Sequence, residues 1–475
     1  MDLDELDQLD PVEAVDLSTE ERPFGIVVYG ATGYTGCLMT EHLDALLSQP
    51  GATPMKWAIA GRDLTKLRRI ARRCKTKPEV MQVKEPVQVS SMAGQARCVV
   101  AAAGPYSVCG EDVIMQCVNQ VTHYIDVSGE VVWIHSMIQK YHEKAKERGV
   151  MIVHCAGAVC APDELICYLL VKKLGPLKQF REYFLQFGAM SGGTFNTSIA
   201  SMAMMTREAL QIQNDPFALG GDRDCGLREV DQDCIQADPD PLFPGIFLMP
   251  AYNSIPGSRI VRRSCKLFED LPSEGVAYGK GFSVTIRDCH LNKKAAEAKV
   301  AESAPVPSVE AAKATADAMR IMQDRGEQPR PGEGPPPETR EIYSTEVYGV
   351  AEAESGEWAH VHYSSGEAYE VTAMACIAGA MVLVEELSLV KPKERGGIIT
   401  PAFAFHGSTW IDRMTQTSFA CKGGSSKIIV EVKDGKPEPG EILQAVKERN
   451  KKSLAGMGRV MGGELKNWTE PALTM

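Results

Sequence analysis

Short apolar runs alternate with longer amphipathic stretches through the first 155 residues. Gly25–Tyr29, Lys56–Ala60, Val80–Val83, Cys98–Ala103, His123–Val127 and Val150–His154 read as strands. Between them, Cys37–Leu47, Leu64–Arg73, Glu111–Asn119 and Val131–Arg148 read as helices, with Asp63 placed to cap the second and Gly149 to end the fourth. Strands alternating with helices predict an α/β fold on a doubly wound parallel sheet. After residue 157 the period changes. Arg181–Phe187, Gly281–Ile286, Tyr343–Val350, Val361–Tyr363 and Ala368–Val371 read as longer alternating strands. They predict an inserted α+β second domain on a mixed, mostly antiparallel sheet. Thr372–Leu387 reads as a buried apolar helix, and Gly396–Pro401 as a turn and a short extended piece.

Composition refines this layout. Residues 1–23 form an acidic leader, 24–157 the first domain, 158–371 the second, and 372–430 a return segment on the first domain. Within the second domain, 293–340 is rich in Ala, Glu, Lys and Pro, and reads as a disordered or loosely helical insertion. Residues 431–475 read as a charged, loop-rich tail. The net charge of −11 argues against a nucleic-acid binder. No run of 18 apolar residues exists, so no membrane-spanning helix is expected. Fourteen cysteines without a CxxC pair read as reduced thiols of a cytoplasmic protein. His154, Cys155, Cys160 and Asp163 lie close in sequence but match no zinc spacing, and His360 and His362 lack a third ligand, so no metal is expected.

Chemistry concentrates at the strand ends. The turn Gly30-Ala31-Thr32-Gly33-Tyr34-Thr35-Gly36 joins the first strand to the first helix, the Rossmann-type context for a dinucleotide phosphate. Gly30 would allow the sharp turn, Gly33 the close approach of a pyrophosphate, and Gly36 close packing of helix on strand, with the helix N-terminus facing the phosphates. The second strand ends in Gly61-Arg62, with no acid on the strand itself. An Arg there accommodates a 2′-phosphate, so NADP(H) is favoured and NAD(H) is the alternative. Ala103-Gly104-Pro105-Tyr106 and Ser128-Gly129-Glu130, at two adjacent strand ends, would border the nicotinamide end of the same crevice. Tyr106, Glu130 and Asp163 are the candidate catalytic proton donors.

The strings Tyr29–Gly36, Ala60–Arg62, Ala103–Tyr106, Tyr124–Glu130 and Ser191-Gly192-Gly193-Thr194, with Gly396–Met414 later, resemble the saccharopine dehydrogenase-like oxidoreductases, a group that includes trans-acting enoyl reductases. The resemblance implies a Rossmann domain, an inserted mixed-sheet domain, and C-terminal helices returning to the first. It implies hydride transfer involving a small or lipid-related substrate, with Ser191–Thr194 closing the cleft. Lipid-droplet or membrane-surface association is implied by resemblance alone, and a homodimer through the second domain is one arrangement it allows. Two departures stand out. The family's Gly-Phe-Asp-Ser-Pro-like turn is replaced by Gly157-Ala158-Val159-Cys160-Ala161-Pro162-Asp163. The polar 293–340 segment stands where animal-type members carry an apolar membrane-associating stretch.

Two other readings compete. Tyr168-Leu169-Leu170-Val171-Lys172 is a YxxxK match to short-chain dehydrogenases, though Cys155 stands where that family has a serine. A catalytically silent nucleotide-binding interaction protein would keep the fold without the reaction.

Overall fold

The computed structural model describes residues 22–221, 228–419 and 426–461. The acidic leader, but for its last two residues, and the final 14 residues of the tail lie outside them. Six strands and their helices fill the first domain: β1 (Phe24–Tyr29), β2 (Trp57–Gly61), β3 (Glu79–Gln82), β4 (Ala96–Ala101), β5 (His123–Asp126) and β6 (Met151–Val153). They pair in parallel in the order β6-β5-β4-β1-β2-β3, the doubly wound arrangement expected. Both faces of such a sheet are covered, which is why Ile26, Val27 and Val28 are all fully buried despite pointing to opposite sides.

The second sheet contains β7 (Leu177–Phe187), β8 (Asp238–Pro239), β9 (Phe247–Pro250), β10 (Ser283–His290), β11 (Ser344–Ala353) and β12 (Trp358–Ser365). The chain then returns to the first sheet as β13 (Gly397–Ile399), parallel to β6, and to the second as β14 (Ile428–Asp434). The second sheet runs β14-β12-β11-β7-β10-β9-β8; its β7–β10 pair is parallel and its other pairs are antiparallel. The Gly396–Pro401 piece is therefore a seventh strand of the parallel sheet.

Two helices join the layers. Ala368–Glu385 packs on β1, β4, β5 and the helix Tyr34–Leu47. Its approach to the sheet depends on Gly379, where an added Cβ would lie 2.6 Å from Ile125 Cδ1. This helix is long and apolar enough to cross a membrane by length and composition, contrary to the expectation from sequence, but 83% of that span is buried inside the protein. Ala161–Leu174 lies on the second sheet at Gly349, where a Cβ would come within 2.1 Å of Ile166 Cγ2. One apolar core consequently runs from Ile26 and Ile125 through Met374 and Leu165 to Val347 and Val361.

Three expectations need correction. Ala368–Val371 is the first turn of a helix, because Glu367 caps it by accepting the N–H groups of Tyr369 and Glu370. The 293–340 insertion is ordered: helices Lys293–Ser303 and Val309–Asp324 form, and Ala312 and Ala316 of the second are fully buried, Ala316 against Phe195 and Ile199. The described part of the 431–475 tail is β14 followed by the helix Pro439–Met461, which buries Ile442 and Val446 against Tyr183 and Val350.

Candidate functional site

The crevice opens at the carboxyl ends of β1, β2, β4 and β5. Gly30 has a left-handed φ of +86°, and a Cβ there would sit 2.8 Å from the Ala102–Ala103 backbone. At Gly36 a Cβ would lie 2.2 Å from the Gly30 carbonyl oxygen, so helix 34–47 starts directly against the turn. Gly33 is the N-cap and donates its N–H to Gly30 O at 2.9 Å. Thr32, Gly33 and Thr35 are half-buried along the rim. A tight turn feeding a helix N-terminus, lined with backbone rather than side chains, fits a pyrophosphate.

Tyr34 differs from its expected place. Its ring turns inward, edge-on to Tyr369 at 5.3 Å, and its phenol donates to Pro335 O at 2.5 Å. Gly334 passes over that ring so closely that a Cβ would come within 2.4 Å of it. The proline-rich segment 330–337, which the composition presents as solvated, thus lies against the phosphate turn.

Arg62 is exposed at the end of β2. Its charge reaches Tyr29 and Cys109, offsetting part of the rise in pKa that burial imposes on both. Asp63 is spent elsewhere: its carboxylate accepts the Lys66 N–H at 2.9 Å as a helix cap. The tip of β2 therefore offers a guanidinium and no free acid to an adenosine ribose, the arrangement that suits a 2′-phosphate.

At the end of β4, Ala103, Gly104 and Pro105 are open or half-buried. The helix Gly192–Ala203 from the second domain comes over them, with Thr197 Oγ1 3.3 Å from where a Gly104 Cβ would be. Ser191 caps that helix, its N–H donating to the Tyr369 phenol at 2.7 Å, while the Gly192 N–H donates to Glu333 O. The Ser191–Thr194 motif thus starts the helix that passes beside the end of β4.

The three expected proton donors are all committed elsewhere. Tyr106 is buried, its ring stacked on Trp133 and its phenol donating to Ala101 O at 2.8 Å. Burial pushes that phenol far above its ordinary pKa. Glu130 accepts the Tyr106 N–H at 2.7 Å and the Ser107 N–H at 3.0 Å, clamping the β4 turn to the β5 turn. Ser128 is likewise internal to its turn, its Oγ accepting the Glu130 N–H at 3.2 Å; Gly129 remains half-buried at the cleft edge. Behind them Asp126 accepts from the Tyr124 phenol, Ser128 N–H and Cys155 N–H, and pairs with His154 Nδ1 at 2.7 Å. Asp163 is fully buried and binds Asn253 Nδ2 through both oxygens, at 3.0 and 3.1 Å. Its neighbour Glu182 is buried too; desolvation raises both carboxyls, so the pair retains a proton.

Tyr168 and Lys172 lie off the crevice. The Tyr168 phenol bonds His406 Nδ1 at 2.6 Å, and Lys172 faces solvent. Among the described residues, no group of three or more His, Cys, Asp or Glu is arranged to hold a metal. Sequence reasoning passed over Tyr252, which stands open beside the turn after β6. Its one sequence signal is Asn253-Ser254 ahead of the helix Ser254–Asp270.

Residues 26–153 match the family model described as the saccharopine dehydrogenase NADP binding domain. Those residues, the first domain of the fold, are thus similar to that NADP-binding domain. The match bears out both the family resemblance and the preference for NADP(H). A saccharopine dehydrogenase-like oxidoreductase of Bos taurus is 37% identical over 174 residues, covering 34% of this chain and 41% of the relative. A trans-acting enoyl reductase of Mycobacterium ulcerans (strain Agy99) is 28% identical over 437 residues, covering 84% of this chain and 98% of the relative. The solved apo saccharopine dehydrogenase (L-Glu forming) of Saccharomyces cerevisiae aligns over 86% of this chain and all of its own, at 11% identity and a TM-score of 0.44. The chain spans about two-fifths of the length of the first curated relative it matches.

Proposed function

We propose that the protein is an NADP(H)-dependent oxidoreductase that reduces a polarised double bond in a small or lipid-related substrate. The observation that carries this is Arg62 exposed at the end of β2, with Asp63 withdrawn into a helix cap. The Gly30–Gly36 backbone would hold the pyrophosphate, Arg62 the 2′-phosphate, and the Gly104–Pro105 and Ser128–Gly129 turns the nicotinamide end. The bound NADP(H) would supply the hydride. The chain's own residues orient the nucleotide, with helix 192–203 beside Gly104. The long alignment with a relative named as an enoyl reductase supports a lipid-related substrate. One observation favours the silent nucleotide-binding reading: Tyr106, Glu130 and Asp163 are all held in structural bonds.

The test is NADPH oxidation followed by absorbance, with an α,β-unsaturated acyl thioester, a ketone and an imine as probes. Reduction of one probe class supports the proposal. Tight NADPH binding with none of the three reduced supports the silent reading.

A further inference from the structure

We infer that Tyr252 is the catalytic proton donor of a substrate cleft between the two domains; this rests on the reductase reading above. Three parts of the fold lie around Tyr252: β7, the helix 368–385 and the start of the helix 161–174. Phe184 of β7 meets it edge-on at 5.6 Å. Tyr369, Cys160 and Asp163 lie close enough for their charges to act on the phenol. Yet Tyr252 keeps 45% of its surface open, the most of the chain's thirteen tyrosines. One side of the ring is packed and the other is open to a ligand.

The segment carrying Tyr252 borders the nucleotide crevice. Pro256, four residues after Tyr252, lies 3.6 Å from where a Gly129 Cβ would be, and Val159 lies 3.5 Å from the same point. Gly129 belongs to the β5 turn at the nicotinamide end, and Val159 precedes Cys160 and Asp163. The ends of β5 and β6 thus lead directly to Tyr252, on the side where ligands of parallel sheets bind. The loop carrying Tyr252 is held rigidly, because Asn253 Nδ2 donates to both oxygens of buried Asp163.

The chemistry suits the phenol. A phenol is protonated at neutral pH, and the packing on one side of this one, with Tyr369 and Asp163 nearby, raises its pKa further, so it keeps its proton until the substrate draws it away. In the reduction, one atom of the substrate double bond gains a hydride, with NADPH oxidised to NADP+. The other atom takes the proton from Tyr252 Oη, and the phenolate recovers a proton from bulk solvent through its open side.

Two readouts test this. Tyr252→Phe keeps the ring and its packing. It should lower turnover of any reduced probe about 100-fold or more while leaving the NADPH dissociation constant within about two-fold. Fluorine NMR of protein labelled with 3-fluorotyrosine gives a readout without turnover. The resonance missing from Tyr252→Phe should shift when NADP+ saturates the wild type. Unchanged turnover in Tyr252→Phe, or a resonance unmoved by bound NADP+, overturns the inference. Failure of the wild type to bind NADPH at all would instead overturn the oxidoreductase reading on which it stands.

Discussion

Glu130 shows how the motifs act residue by residue. Its two oxygens take two peptide N–H groups of the β4 turn, so a carboxylate that reads as catalytic in sequence is a clamp in structure. Glu130→Ala leaves a buried donor at Tyr106 and a half-buried one at Ser107 without this partner and should cost about 1–3 kcal/mol, measured by chemical denaturation. A variant as stable as wild type would show that water replaces the carboxylate. Residue identities foretold the positions of Gly30, Gly36, Arg62 and the Asp63 cap, because each follows from local geometry. They did not foretell side-chain direction. Tyr106 and Tyr34 turn inward because Trp133 and Tyr369, distant in sequence, offer each a ring to pack on. Tyr252 escaped notice because what makes it a candidate is its neighbours, all remote in sequence.

Among the elements, the parallel strands were legible because their apolar runs and breaking glycines repeat with the βα period. The 309–324 helix was not, since alanines bury little area and its surroundings look polar. Its partner face is concrete: Ala316 fits against Phe195 and Ile199. Ala316→Lys should therefore open this segment, with limited proteolysis cutting the variant within 309–324 while the wild type resists. Equal resistance would show the helix does not depend on that face. The phosphate turn allows a second test. Gly36→Ala drives a Cβ into the Gly30 carbonyl. It should cost about 1–3 kcal/mol in stability and abolish detectable NADPH binding. Wild-type affinity in that variant would place the phosphates elsewhere.

At the scale of the whole molecule, two sets of buried groups shape the pH response. Burial lifts Glu164 to about 7 and both Glu182 and Glu367 to about 8. Unfolded, these carboxyls ionise near 4.5, so between there and about pH 8 the folded state holds more protons and loses stability as pH rises. Burial lowers His42 and His142 to about 4 and His123 to about 3. These histidines cost stability as pH falls below 6.5, where the unfolded chain protonates and the folded one does not. Above that point only the acids remain. Thermal unfolding scans should therefore show the melting temperature falling by a few degrees from about pH 6.5 to about pH 8.5. A flat or rising profile would mean these carboxyls are ionised in the fold.

The central claim is an NADP(H) crevice read by Arg62, and nucleotide titration addresses it most directly. Following NADPH and NADH fluorescence, the wild type should bind NADPH about ten-fold or more tightly than NADH, and Arg62→Ala should erase most of that difference. Binding of neither nucleotide, or a preference for NADH that Arg62→Ala leaves untouched, would contradict the account.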